Sequence, residues 1–208
     1  HHFDKEAANF LLDRAKNNVG LILPGIAPIR NVIGGNWLYK SKSSFRYLKP
    51  FMEELHKTGA KMFVQLTAGF GRSFAISSMM EMLATNKVLG AIAKPFINID
   101  QLTMSASPNP NRWSDKVPSR AMTVDEIHEF IKAFGKTAKM CKDAGVDGVE
   151  IHAVHEGYLL DQFTMKYTNQ RTDEYGGSIE NRYRFPMEIV KEIKRVCGDD
   201  YPVSLRYS

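Results

Sequence analysis

Residues 145–163 read Gly-Val-Asp-Gly-Val-Glu-Ile-His-Ala-Val-His-Glu-Gly-Tyr-Leu-Leu-Asp-Gln-Phe, and the rest of the chain is best interpreted from this stretch outward. Its first half is short and mostly apolar, and β-branched residues recur in it, which is typical of a buried parallel strand. The apolar run stops where polar side chains begin. Because parallel α/β folds bind ligands at the carboxyl ends of their strands, these polar residues are predicted to be functional. They are His152, His155, Glu156 and Tyr158.

The composition is that of a soluble globular domain. The chain has 208 residues, of which 43% are hydrophobic and 25% charged, and this excludes a disordered chain. Its net charge of +5 is spread over amphipathic segments without a basic block. Nucleic acid is therefore not expected as a partner. The positive net charge would suit a phosphorylated small molecule as well as it would suit a polyanion.

The cysteines and the apolar runs indicate the compartment. Cys141 and Cys197 are far apart in the sequence and have no metal-ligand spacing, so neither a disulfide scaffold nor a metal centre is predicted. The sequence has no apolar run of transmembrane length and no signal-peptide layout at its start. We expect a cytoplasmic protein that does not associate with membranes.

Helical and strand patterns alternate along the chain. Strict alternation requires parallel strands connected by helices, as in a doubly wound sheet or a (β/α)8 barrel. No Gly-x-Gly-x-x-Gly opens a helix, and polar Gln65, His152 and Arg206 end three strands, which favours the barrel. The predicted fold is an α/β TIM barrel, incomplete in this chain, with about four βα units. Helices are predicted at 3–16, 45–58, 123–145 and 178–196, and strands at 19–23, 61–66, 146–151 and 202–207.

An insertion at about residues 73–120 interrupts this alternation. Helical stretches at 77–96 precede a proline-dotted loop over 99–119, and no strand follows. Insertions of this length commonly form a lid or a binding wall, or are disordered. The methionines of the insertion suit either an adaptable apolar surface or core packing.

Three motifs together resemble a known family. They are Val149 to Phe163 followed by Asn169-Gln-Arg-Thr-Asp-Glu-Tyr-Gly-Gly-Ser-Ile-Glu-Asn-Arg-Tyr-Arg-Phe185, then Val64-Gln-Leu with Gly71-Arg72, and Val203-Ser-Leu-Arg206. The chain resembles the old yellow enzyme family of flavin-dependent ene-reductases. The form of the first motif is most similar to the bile-acid and steroid branch, which includes 3-oxocholoyl-CoA 4-desaturase and, more distantly, 2,4-dienoyl-CoA reductase.

The resemblance implies a cofactor and a reaction. Residues 1–208 would be the N-terminal part of an FMN-binding TIM barrel that acts on a C=C bond conjugated to a carbonyl, as ene-reductase or desaturase. The substrate would be a steroid, bile acid or enoyl compound, and NADH or NADPH would supply electrons. Full-length relatives also carry a [4Fe-4S] cluster and FAD, which residues of this chain would not bind. The remaining barrel and a second copy of the chain are possible further partners.

The resemblance also implies a role for each site residue. His152 and His155 would donate hydrogen bonds to the substrate carbonyl oxygen, and Tyr158 would donate the proton. Gln65 would bind the uracil-like edge of the flavin, and Arg206 would place positive charge beside it. Simpler structural roles remain open for each. They are a buried histidine, a packing tyrosine, an amide bonded to the neighbouring strand and an ion pair.

The sequence departs from the family pattern at Glu156, which is an extra residue between the first histidine and Tyr158. Which of His152 and His155 faces the substrate is therefore left open. The most recognisable letters of the 169–185 motif, among them Arg171, Asp173 and Gly176, are interpreted as structural.

Two other readings compete with the flavoenzyme. A zinc hydrolase could use His152, His155 and Glu156, but their spacing matches no helical zinc motif. A non-catalytic barrel fragment is the stronger alternative, because a barrel needs eight strands and four are predicted. Phosphate in such barrels is held after strands seven and eight, so the isolated chain is expected to bind FMN weakly or not at all.

Overall fold

The computed structural model describes residues 4–31, 34–153 and 157–207. Eight α-helices and five strands are assigned within these ranges. The helices are α1 (Lys5–Lys16), α2 (Lys42–His56), α3 (Ser78–Thr85), α4 (Lys87–Ala93), α5 (Ile99–Leu102), α6 (Val124–Asp143), α7 (Leu159–Thr164) and α8 (Ile179–Cys197). The strands are β1 (Leu21–Ile22), β2 (Ala27–Pro28), β3 (Lys61–Thr67), β4 (Gly148–His152) and β5 (Val203–Arg206).

All strand pairs are parallel. β3 lies between β1 and β4, and β5 pairs with the far side of β4, while β2 also pairs with β3. Helices connect the successive strands except β1 and β2, so the described chain is a parallel α/β sheet that forms part of a TIM barrel. The predicted alternation of four βα units is confirmed. Within the described ranges, no helix combines the length and the apolar composition that a bilayer crossing requires.

The first edge strand is longer than the sequence predicted. The prediction ended it at Leu23, before the turn signal Pro24-Gly25. Instead the chain resumes pairing with β3 at Ala27, which lies opposite Leu66. Ala27 lies six residues after Leu21, whereas their partners on β3, Leu66 and Lys61, are five residues apart. The first strand therefore contains one extra residue, as in a β-bulge. Because this strand has no described neighbour on its other side, a proline that lacks an N–H group is tolerated there.

The helices cover one face of the sheet. Val149 and Ile151 of β4 are fully buried, and they share one core cluster with apolar residues of α6 and α8. At the start of α6, the Thr123 side chain accepts from the Glu126 backbone N–H and the Glu126 side chain accepts from that of Thr123. This confirms the predicted capping box, which satisfies two N–H groups that the helix leaves without partners.

The insertion is ordered around a small core of its own. Met80 and Ile99 pack with Val117, separately from the main core. The predicted loop over 99–119 begins as helix α5, a correction that this packing explains because Ile99 is buried. The remaining part is irregular. Several apolar side chains of the insertion stay exposed, namely Met79, Met82, Val88, Leu89, Ile92 and Phe96.

Arg171 fastens the end of the insertion to the segment before α8. Its guanidinium donates 2.9 and 2.5 Å hydrogen bonds to both carboxylate oxygens of Asp173. The remaining donors reach the carbonyl oxygens of Ala106 at 2.9 Å and Met122 at 2.6 Å. Burial alone raises the pKa of Asp173, but the hydrogen bond and charge of Arg171 outweigh it, so this pKa lies below its usual range. Arg171 and Asp173 thus make the internal contacts expected of structural residues, and the same interpretation of the other motif residues stays a prediction.

Gly176 allows this segment to close, and replacing it with Ala is expected to destabilise the protein. A Cβ atom at this position would lie 2.1 Å from the carbonyl oxygen of Arg171. Since the clash is with backbone, we expect a loss of about 1–3 kcal/mol in the free energy of unfolding, measured by urea denaturation. Gly20→Ala is the matched control, because nothing lies within 4 Å of a Cβ there. Equal stability of the two variants would contradict the assigned contact.

Burial of Cys141 predicts a loss of stability at alkaline pH. Desolvation, with a smaller effect of Cys197, raises the pKa of the Cys141 thiol from 9.0 to about 12. The folded protein therefore holds a proton that the unfolded chain releases above pH 9. The contribution of this proton to the free energy of unfolding is complete below pH 9 and is lost as the pH rises towards 12.

Between pH 8 and pH 10 we expect the wild type to lose about 1.4 kcal/mol more unfolding free energy than Cys141→Ala. Urea unfolding under reducing conditions at both pH values measures the difference. An identical pH dependence in the two proteins would show that the thiol is not the titrating group.

Candidate active site

The candidate site lies at the carboxyl ends of the strands, on the face opposite the helices. Side chains alternate along a strand, so the residues between the buried core positions of β3 and β4 point to this inner face. His152 is paired in register with Arg206, and Pro28 with Thr67. Thr67 and His152 each follow the Leu66–Ile151 pair. These residues form the upper row, which consists of Pro28, Thr67, His152 and Arg206.

The next row towards the amino ends is held by hydrogen bonds. Gln65 pairs with Glu150, and Glu150 pairs with Ser204. The Gln65 amide donates a 2.5 Å hydrogen bond to Glu150 Oε1, and the Ser204 hydroxyl donates to Glu150 Oε2 at 3.3 Å. In this structure the buried Gln65 therefore bonds the neighbouring strand, the simpler of its two expected roles. Its amide oxygen still lies on the inner face. This lower row consists of Gln65, Glu150 and Ser204.

Tyr158 and His152 are in contact at the corner after β4. Tyr158 is the residue before α7, and its ring centroid lies 4.9 Å from that of His152. The Phe70 ring meets Tyr158 edge-on at 4.8 Å. His152 is only 2% exposed, whereas Tyr158 is half-buried. A buried imidazole beside a partly accessible phenol can together donate a hydrogen bond and a proton to a ligand.

The structure brings four of the five predicted residues to the same side of the sheet. His152, Gln65 and Arg206 belong to the two rows, and Tyr158 contacts the first of them. Arg206 is exposed at the end of β5. His155 lies outside the described residues.

Gln162 is a residue whose role the sequence did not reveal. Its fully buried side chain donates to the carbonyl oxygens of Phe70 at 3.0 Å and Gly157 at 2.6 Å. Its amide oxygen accepts from the backbone N–H of Arg72 at 3.1 Å. One amide thus joins the loop after β3 to the loop after β4, and so holds Phe70 and Tyr158 against each other. Its only sequence signal is its place in the Tyr-Leu-Leu-Asp-Gln-Phe motif.

Two further contacts reinforce this junction. The Ser73 hydroxyl donates a 2.8 Å hydrogen bond to the carbonyl oxygen of Gly157. The backbone N–H of Leu159 donates a 3.1 Å hydrogen bond to the carbonyl oxygen of Gly69. Asp161 accepts from the backbone N–H groups of Gly157 and Tyr158 at 2.5 and 3.1 Å. The position of Tyr158 is therefore fixed by hydrogen bonds on both sides.

A cavity of about 490 Å³ lies beside this corner, under the insertion. The strand ends and the corner form one wall, which includes Pro28, Thr67, Phe70 and Leu159. The insertion forms the other wall, which includes Lys94, Phe96, Leu102 and Met104. The volume is within the range of about 300–1,000 Å³ that is usual for small-molecule sites. The insertion thus forms one wall of this cavity, and its role in ligand binding stays a prediction.

The described residues contain no group of three His, Cys, Asp or Glu side chains that could hold a metal ion. The zinc interpretation depended on His155 and Glu156 as well as His152, and the first two lie outside the described residues.

A comparison with known families decides the family of the chain. The profile of the NADH:flavin oxidoreductase / NADH oxidase family matches residues 2–208. The chain belongs to this family. Old yellow enzymes are among the similar solved structures, so the resemblance inferred from the three motifs is confirmed at the family level.

Curated relatives of this family member include two bacterial enzymes. It is 42% identical to cinnamate reductase of Clostridium sporogenes over 213 positions, which cover 99% of this chain and 29% of that protein. It is 33% identical to NADH oxidase of Thermoanaerobacter brockii over 204 positions, which cover 96% of this chain and 28% of that protein. The chain thus spans less than a third of the length of these two relatives.

Solved structures agree with the fold. An old yellow enzyme from a Pichia species superposes with a TM-score of 0.72 at 28% identity, covering 98% of this chain and 50% of that one. A 2-naphthoyl-CoA reductase gives a TM-score of 0.74 at 28% identity, covering 96% and 29%. Both comparisons support the TIM-barrel assignment.

Proposed function

We propose that the complete protein is an FMN-dependent oxidoreductase that acts on a C=C bond conjugated to a carbonyl. The observation that carries this proposal is the contact between the Tyr158 and His152 rings at the end of β4, in the same row as Arg206. Reduction of such a bond needs a hydride at one carbon, a proton at the other, and polarisation of the carbonyl oxygen. When bound, FMN supplies the hydride chemistry.

The inner face of the sheet fits a flavin. A flavin pyrimidine edge presents both donors and acceptors, and the Gln65 carboxamide offers both. Arg206, two residues beyond Ser204 on the same face of β5, supplies a fixed positive charge where flavin reduction builds negative charge. We therefore assign Gln65 and Arg206 to cofactor binding. The Gln65–Glu150 hydrogen bond orients the amide of Gln65.

The remaining two requirements, polarisation of the carbonyl oxygen and proton donation, are assigned to the histidines and to Tyr158. A hydrogen bond from His152 to the carbonyl oxygen withdraws electrons and stabilises negative charge that develops on it. His155 is proposed as a second donor. Tyr158 donates its phenolic proton to the α-carbon, and its partial exposure allows re-protonation from solvent.

The substrate class rests on the relatives. Cinnamate is an aryl enoate and naphthoyl-CoA is an aromatic thioester, and both names describe unsaturated carbonyl compounds. We propose an enoate, enone or enoyl substrate, and a steroid or bile acid as one member of this class. NADH or NADPH would reduce the flavin, and an iron–sulfur cluster and FAD are proposed only for parts of the protein beyond this barrel segment.

A non-catalytic barrel segment is the alternative for the chain taken alone. Among the described strands, β5 and the β1–β2 edge each pair on one side only. An FMN site that also needs the other strands of the barrel would be incomplete here. Flavin content separates the two proposals, because the isolated chain is expected to bind little FMN and the complete protein one per barrel.

The test of the proposed reaction uses the complete protein in D₂O. The flavin is reduced anaerobically by NADH and then mixed with benzylideneacetone, an aryl enone. We expect the flavin to be reoxidised and the saturated ketone to carry deuterium at its α-carbon, as located by NMR. Flavin that stays reduced in the presence of enones and enoates would refute the proposal.

A further inference from the structure

Two positive charges line the cavity under the insertion, and nothing in the proposed reaction uses them. They belong to Arg30, from the segment after β2, and to Lys94, at the end of α4. Among the described lining residues these are the charged ones, and no carboxylate accompanies them. Most of the other lining side chains are apolar, including Phe70, Phe74 and Phe96. The cavity is therefore apolar and of one sign of charge.

The position of Arg30 is fixed. Its Nε donates to the carbonyl oxygen of Gly35 at 3.0 Å, and its Nη2 donates to Gln101 Oε1 at 2.6 Å. Burial lowers the pKa of Arg30, and the carboxylates of Glu129 and Glu126 oppose this effect. A guanidinium remains charged at neutral pH even when half-buried. Arg30 thus presents a preorganised cation on the wall formed by the segment after β2.

Lys94 lines the cavity from the insertion. It is exposed at the C-terminus of α4, two residues before Phe96, whose carbonyl oxygen accepts from the backbone N–H of Gly34 at 3.1 Å. This hydrogen bond joins the insertion to the segment that carries Arg30. A lysine at the end of a helix also has a structural explanation, because it complements the helix dipole. That explanation does not predict any dependence on the charge of a ligand.

The cavity adjoins the proposed reaction site. Two lining residues, Thr67 and Leu159, are neighbours of this site. Thr67 belongs to the upper row together with His152, and Leu159 follows Tyr158 in the chain. The Phe70 ring contacts Tyr158 on one side and lines the cavity as well. A substrate whose double bond lies at Tyr158 can therefore extend its far end towards the insertion.

From this arrangement we infer that the cavity is a substrate subsite for an apolar body that ends in an anionic group remote from the reacting double bond. This inference rests on the proposed function. Phe70, Phe74 and Leu102 would contact the apolar body, and Arg30 and Lys94 would bind the anion. The anion is a carboxylate or a phosphate ester, since both meet the same two cations. Lys94 is a specificity residue under this inference, not a catalytic one.

The experiment compares substrates that differ only at the remote end, in the complete protein. The substrates are 4-carboxybenzylideneacetone, its 4-phosphonooxy analogue and the neutral methyl ester of the carboxylate. The measured quantity is kcat/KM for each anion divided by kcat/KM for the ester. For Lys94→Glu we expect this ratio to fall about tenfold for the anion that the site accepts, because reversing a charge beside a ligand alters its recognition. Lys94→Arg should retain the ratio.

Lys87→Glu is the matched control, since Lys87 is an exposed lysine of the same helix that does not line the cavity. It should leave both ratios unchanged. A fall for the carboxylate alone or the phosphate alone identifies the source of the anion. Unchanged ratios for both anions in Lys94→Glu would overturn the inference, and so would an equal fall in Lys87→Glu.

Two further readouts separate this inference from the proposed reaction. Turnover of benzylideneacetone by the wild type tests the reaction alone, because this substrate has no anionic end. Calorimetric titration with 4-(3-oxobutyl)benzoate, the saturated product, tests the subsite without turnover, and we expect Lys94→Glu to weaken its binding about tenfold. Flavin content is measured in every variant. Loss of FMN from Lys94→Glu would assign the cations to the cofactor phosphate and overturn the inference.

Discussion

Replacing Tyr158 with Phe is expected to slow the reoxidation of reduced flavin by an enone about 10²- to 10⁴-fold, the usual contribution of a positioned proton donor. The substitution removes only the hydroxyl group, so the ring can keep its contacts with Phe70 and His152. Reduction of the flavin by NADH involves no proton from Tyr158, and its rate should stay close to that of the wild type. Stopped-flow absorbance of each half-reaction measures the two effects separately.

Tyr167→Phe is the control for this substitution, because Tyr167 is 81% exposed and follows α7. It should behave as the wild type in both half-reactions. Equal rates of enone reduction in Tyr158→Phe and the wild type would remove Tyr158 from the mechanism. A loss of flavin reduction in the same variant would indicate a structural role instead.

Replacing Gln162 with Leu is expected to have the largest effect on stability, about 2–4 kcal/mol in the free energy of unfolding. Leu fills a similar volume, but it leaves the Arg72 N–H group without its acceptor. The carbonyl oxygens of Phe70 and Gly157 each lose one of two hydrogen bonds and keep the one from Ser73. A buried N–H group without an acceptor costs about 1–3 kcal/mol, and each of the two lost hydrogen bonds about 0.5–1.5 kcal/mol. Urea denaturation measures the loss. Because the amide also joins the two loops that hold Tyr158, enone reduction should slow as well.

Gln170→Leu provides the comparison for Gln162→Leu. The Gln170 amide also donates to backbone carbonyl oxygens, of Lys166 at 2.8 Å and Tyr167 at 3.3 Å, but it is exposed. Water can replace those bonds, so its stability should change by less than about 0.5 kcal/mol. Similar losses in the two variants would show that Gln162 does not join the loops as the hydrogen bonds indicate.

Local patterns were sufficient to predict the main helices and strands. The apolar periodicity of α6 and α8 and the capping residues at Thr123 define helices without reference to the rest of the chain. The glycine before the Val146–Ile151 run marks the entry to β4 in the same way. Alternation of these segments then requires a parallel sheet, and parallel sheets gather strand ends at one edge. For this reason the positions of Gln65, His152 and Arg206 on one face could be predicted.

The features that the sequence did not reveal depend on residues distant in the chain. The first edge strand resumes at Ala27 because this segment pairs with Leu66 and Thr67 of β3, whereas Pro24-Gly25 locally indicates a turn. Gln162 reads as one more polar residue until the loop after β3 is in place. The cavity exists only because the insertion folds back over the strand ends, which no local pattern encodes.

The clamp at Arg171 has a practical consequence for engineering. Arg171 holds the far end of the insertion through the main-chain oxygens of Ala106 and Met122. These hydrogen bonds do not involve the side chains at the two positions. We therefore expect that segments of different sequence can be transplanted between the loop after β3 and this clamp while the contact between Tyr158 and His152 stays intact. If the cavity is the proposed subsite, libraries confined to residues 76–104 should change substrate preference without altering His152 and Tyr158.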